Sequence, residues 1–187
     1  IQAYLEWDIR RVTVYWYDNQ TQFEKIHGFG PTVLAFARRQ DNSVHMGPST
    51  TNSGFEEVFG HELVHIVVFQ KYKDAIPKWL DEGLACFVSG DRKVDYSWLA
   101  QQPFIDVRLM EHPFLSQSNG LPAAPRYHYM ASTALMEMIS SKCDIHDLLQ
   151  LSLGRKMDTY LSTYCGIDDL NSEFQVWVKT KAAARPH

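Results

Sequence analysis

His61-Glu62-Leu63-Val64-His65 puts two imidazoles four residues apart, and Glu82 follows the second of them by seventeen positions, inside Trp79-Leu80-Asp81-Glu82-Gly83-Leu84-Ala85. On a helix, side chains four apart lie one above the other, with Cβ atoms about 5–6 Å apart. That spacing lets both rings grip one metal ion. Glu62 lies beside such an ion without having to bind it, where it can act on a water. A third donor from a second helix leaves a tetrahedral ion one open position, the pattern of a reactive rather than a purely structural zinc site. The surrounding segment is apolar (Phe55, Val58, Phe59, Leu63, Ile66, Val67, Val68, Phe69), so the histidines face the interior. Buried imidazoles need partners.

Asp81 and Glu82 compete for the role of third donor. Neighbours on a helix point about 100° apart, so only one of them faces the metal. Glu82 has the longer reach. Asp81 then becomes a candidate acceptor for a ligand histidine N–H. Two imidazoles and one carboxylate suit a single Zn2+ ion.

HELVH followed by PKWLDEGLA resembles the gluzincin metallopeptidases, and the WLxEGxA form resembles their small, mostly bacterial members. The resemblance runs from about Val12 to the last helix. It implies one catalytic domain over residues 1–187, a zincin-like fold, zinc ligands at His61, His65 and Glu82, and Glu62 as general base. It implies a peptide or protein substrate. Thermolysin-type enzymes place an aspartate four residues after the ligand glutamate, to orient a histidine. Here that position is Cys86, so the role is vacant or filled elsewhere. Tyr129-Met130-Ala131-Ser132 resembles the segment where related gluzincins carry a catalytic tyrosine. Tyr129 is therefore the first candidate to donate to the oxyanion, with His128 and Tyr127 next. The aminopeptidase strand GxMEN has no counterpart, because Val44-His45-Met46-Gly47-Pro48 lacks its acid. That favours an endopeptidase or a peptidase of narrow specificity. A metzincin is excluded: it needs Gly at position 68 and His at 71, where this chain has Val68 and Lys71. The competing reading is a non-catalytic or autoinhibited zinc-binding interaction module. An intact Glu62 speaks against the non-catalytic form.

These residues need elements to position them. Residues 11–17 are β-branched and aromatic and read as a strand, as do 32–38 and 43–47. Asp18 or Asn19 caps a short helix through residues 23–27. Ser53 and Glu56 fit a capping box for the long helix, which ends near Tyr72. Pro77 opens the next helix, which reaches about Val88 before Gly90. A short helix is expected over 95–101 and a long irregular segment over 103–125, a candidate rim or lid. Helices follow over about 126–141, from a cap at Asp144 to Leu153, before Gly166, and from a cap at Asp168 to about Ala184. The order is a small sheet, then the zinc helices, then a helical lobe. That predicts an α+β fold with a sheet-plus-helix lobe over about 1–75, a helical lobe over about 76–187, and a cleft between the lobes. The strand Val44–Gly47 is the expected edge for an extended peptide, with His45 as a residue that could line the cleft.

The bulk properties narrow the classes. The chain has 187 residues, enough for one domain with a substantial core. A net charge of −4 and the lack of basic runs give no reason to expect nucleic acid. No apolar stretch approaches the roughly eighteen residues of a membrane span. No signal peptide is visible, and the chain opens at Ile1. A mature or trimmed fragment whose export signal has been removed fits that start. Three cysteines are too few for a disulfide scaffold. Cys143 and Cys165 could pair in an oxidising compartment, but packed thiols are the favoured expectation.

Overall fold

The computed structural model describes residues 1–110, 112–114, 125–153 and 156–184. Among them, nine α-helices and one three-stranded sheet make an α+β fold. By compactness the chain divides into Ile1–Lys73 with Val88–Asp91, and Asp74–Phe87 with Arg92–His187.

The first unit contains α1 (Gln2–Leu5), β1 (Thr13–Trp16), α2 (Gln20–His27), β2 (Ala35–Arg38), β3 (Ser43–Met46) and α3 (Phe55–Tyr72). Asn19 caps α2 by accepting from the Gln22 amide at 3.0 Å. Gly28 then closes the helix at φ 73°, a left-handed conformation that costs glycine little. β3 is the central strand. It pairs parallel with β1, Val14 opposite Val44, and antiparallel with β2, Ala37 opposite Val44. The edges are therefore β1 and β2, and the expectation that β3 offers a free edge is overturned. α3 packs on β2 and β3. Their shared core is Ala35, Val44, Met46 and Ile66, with Phe55, Val58 and Phe59 against it. Full burial of Val44, Met46 and Ile66 contributes roughly 1.5–3 kcal/mol of transfer free energy each.

The capping box before α3 does not form. Asn52–Gly54 wind into a tighter 3-10 turn, which places Ser53 inside the turn, and its hydroxyl lies 3.1 Å from that of Thr51. Gly54 occupies the cap position without a side-chain bond.

The second unit contains α4 (Lys78–Ser89, with its last two residues counted in the first unit), α5 (Tyr96–Leu99), α6 (Pro125–Ser140), α7 (Ile145–Leu151), α8 (Met157–Thr163) and α9 (Leu170–Ala183). α6 carries the core, with Ala131, Ala134, Leu135, Met136 and Ile139 fully buried. α5 packs against α6 and α9. A polar link ties these three: Tyr96 donates to Glu137 at 2.6 Å and accepts from the Trp177 indole at 2.9 Å. Asp144 caps α7 as expected. The cap of α9 is Asp169 rather than Asp168. Asp169 accepts from the amides of Asn171 and Ser172, while Asp168 accepts from the Ser162 hydroxyl.

Cys143 and Cys165 are joined in a disulfide that encloses α7 and α8, against the expectation of packed thiols, and Cys86 is a buried free thiol. No helix among the described residues is long and apolar enough to cross a membrane. Residues 111 and 115–124 of the expected rim segment lie outside the described residues.

Candidate metal centre

α3 positions both histidines. Val64, Ile66, Val67, Val68 and Tyr72 of this helix are buried, and His61, Glu62 and His65 are buried with them. The rings stand edge to face, with Nε2 of His61 3.2 Å from Nε2 of His65. Two imidazoles on one tetrahedral zinc, at about 2.0–2.1 Å each, place their nitrogens roughly 3.3 Å apart. That separation would let one ion bind both nitrogens.

Glu82 is the acid that joins them. One ligand atom from each of His61, His65 and Glu82 lies within 4.8 Å of the others, and all three residues are buried, so this group could hold a metal ion. Asp81 is equally buried but is not part of that group. His61, Cys86 and Asp91 lie similarly close. Asp91, however, meets His61 at Nδ1, the nitrogen on the opposite side of the ring from the His65 contact.

Two residues that sequence reasoning missed surround the group. Asp91 Oδ2 is 3.3 Å from His61 Nδ1, and both side chains are nearly buried. Gly90, at φ 71°, turns the chain after α4. Ser89 then accepts from the Asp91 amide and donates to its carboxylate, both at 3.3 Å. The second is Lys78, in the first turn of α4. Its ammonium reaches Asp81 Oδ2 at 2.8 Å and Glu82 Oε1 at 2.7 Å. Burial alone would depress that ammonium's pKa, but the two carboxylates outweigh burial and hold it above the usual lysine range. The spacing of Lys78 to Asp81 and Glu82, three and four residues, was readable in the sequence.

The remaining candidates divide. Tyr129 is half-buried near the start of α6, with the Arg92 guanidinium 4.1 Å from its ring centre and Phe114 edge-on. His128 is buried, its Nδ1 3.3 Å from the Ser132 hydroxyl. Tyr127 is buried, and its hydroxyl accepts from the Ile105 amide at 3.3 Å, so that oxygen serves the fold. His45 does not face a cleft. It is 3 % exposed, stacked between Tyr15 and Phe36, with Tyr17 at Nδ1 and Ser43 at Nε2. Desolvation first, and then Arg38, lowers its pKa, which disfavours the protonated ring.

No family model matches this chain, and neither a curated protein nor a solved structure does.

Proposed function

We propose that the chain is a zinc-dependent peptidase of the gluzincin kind, an endopeptidase or one of narrow specificity. The observation that carries this reading is the 3.2 Å separation of the two Nε2 atoms on a buried helix face. Glu82 serves as the third donor, being buried and the acid whose ligand atom meets both imidazoles. A zinc ion there would lower the pKa of a water and polarise a peptide carbonyl.

The chain's own groups do the rest. Glu62, next to His61 and 9 % exposed, takes the proton of the attacking water and passes it to the departing amine. Its carboxylate is regenerated in each cycle. Tyr129 is assigned as donor to the developing oxyanion, with His128 as the alternative. Burial of Glu62 keeps competing water away from the proton it carries. An extended substrate adds along β2, the edge strand against which α3 packs. His45 and Tyr127 have no catalytic part in this scheme, because their polar atoms are engaged in the sheet and the core.

The test is hydrolysis of a mixed peptide library by the zinc-loaded chain, with the new amino termini identified. Cleavage that stops with a chelator and returns with zinc supports the reading. Cleavage indifferent to the chelator overturns it, and bound zinc without any cleavage points to a non-catalytic module.

A further inference from the structure

Lys78 is a cation placed against a residue assigned to hold another cation. Its side chain is 28 % exposed, while those of Asp81 and Glu82 are each 4 % exposed. The ammonium and a divalent ion repel, and a single carboxylate oxygen cannot serve both well. A carboxylate has two oxygens, however, and Lys78 engages only Oε1 of Glu82 in its 2.7 Å contact.

We propose that Lys78 is a positioning residue for the metal ligand: it holds Oε1 of Glu82 so that the other oxygen alone is presented to the ion, and it holds Oδ2 of Asp81 so that the neighbouring carboxylate does not compete. This rests on the assignment of Glu82 as third ligand. Its consequence is a site whose fourth position stays open, as a reactive site requires. The helix makes the clamp possible, because a first-turn lysine reaches both i+3 and i+4.

The clamp separates two quantities that a merely supporting residue would move together. Removing the ammonium makes the site one charge more negative, which favours a divalent ion. It also frees Glu82 to bind through both oxygens and close the open position. Affinity for the metal is then kept or raised, while turnover falls.

The experiment compares the full chain with Lys78→Met and Lys78→Arg, each loaded with one equivalent of cobalt(II). Three readings are taken: the visible cobalt spectrum, metal affinity by chelator competition, and peptide turnover. In Lys78→Met the cobalt bands lose intensity as a fifth donor binds, affinity holds or rises by up to about tenfold, and kcat drops by about tenfold or more. Lys78→Arg restores the spectrum and most of the turnover, because it keeps the charge and can reach two carboxylates. An unchanged cobalt spectrum in Lys78→Met, or a loss of affinity in step with turnover, overturns the proposal. If Lys78→Met fails to fold by circular dichroism, Lys78→Gln is judged by the same criteria. Failure of the unmodified chain to bind cobalt would overturn the metal site and this proposal with it. Cobalt bound without peptide cleavage would overturn the peptidase reading alone, and the spectra would still decide Lys78.

Discussion

Nδ1 of His61 lies 3.3 Å from Oδ2 of Asp91, a residue reached only after α4 has ended and the chain has turned at Gly90. A carboxylate at Nδ1 favours the tautomer with its proton there and leaves the Nε2 lone pair for a metal. In the proposed site Asp91 would supply the orienting acid that Cys86 cannot. Asp91→Ala is expected to weaken zinc binding about 10–100-fold without loss of helix content. Chelator competition measures it, and an unchanged affinity would remove Asp91 from the account.

The position after Glu82 is a glycine, Gly83, and the backbone of α6 comes close to it. A Cβ there would stand 2.3 Å from the Ser132 carbonyl oxygen and 2.9 Å from its carbon. Neither atom can move without shifting the helix. Gly83→Ala should destabilise the chain by about 2–3 kcal/mol, lowering Tm by roughly 5–10 °C. A thermal melt equal to that of the parent would mean that α4 and α6 are further apart than described.

The Cys143–Cys165 bond closes a loop with a sequence separation of 22. Loop-closure entropy for that length stabilises the fold by about 3 kcal/mol. The double variant Cys143→Ser/Cys165→Ser should therefore unfold at lower denaturant, while still binding one equivalent of zinc. A midpoint unchanged under oxidising conditions would show that the bond contributes nothing.

Burial of His45 should give the metal-free fold a pH dependence, with its sign set by the lowered pKa. Its folded pKa lies below the ordinary value of 6.5, chiefly through desolvation. The unfolded chain therefore takes up the proton first. This stabilisation is complete above 6.5 and is lost as pH falls from there through the lowered folded pKa. In His45→Phe, which keeps a ring between Tyr15 and Phe36, that loss should vanish. The stability gap between parent and variant should shrink on acidification. Parallel pH profiles in urea titrations would sink the assignment.

Much of the first unit, and the grouping of His61 with His65, was legible in the sequence, for physical reasons. The apolar run of α3 and the four-residue histidine spacing are local patterns, and they survive in the fold. The strands were visible as β-branched and aromatic runs, but their order was not. Placing β3 between β1 and β2 depends on pairing distant residues, which no local pattern encodes. α1 is too short to show a period. Ser53 carried a valid cap pattern that the 3-10 turn overrode, and adjacent Asp168 and Asp169 offered equal caps. Asp91 was hidden because its approach to His61 depends on the direction taken after Gly90. Lys78 was in plain view at helical spacing, yet such pairs usually lie on solvated faces, and only burial makes this one consequential. The pairing of Cys143 and Cys165 required their Cα atoms to come within 4.9 Å, a tertiary distance that sequence spacing does not set.

The most direct measurement takes zinc content and peptide turnover on the same samples of the parent chain and Glu62→Gln. The account predicts one equivalent of zinc in both and at least about a hundredfold lower kcat in the variant, the usual scale for removing a general base. Equal zinc with equal turnover would contradict it, since Glu62 would then not be the group that moves the proton.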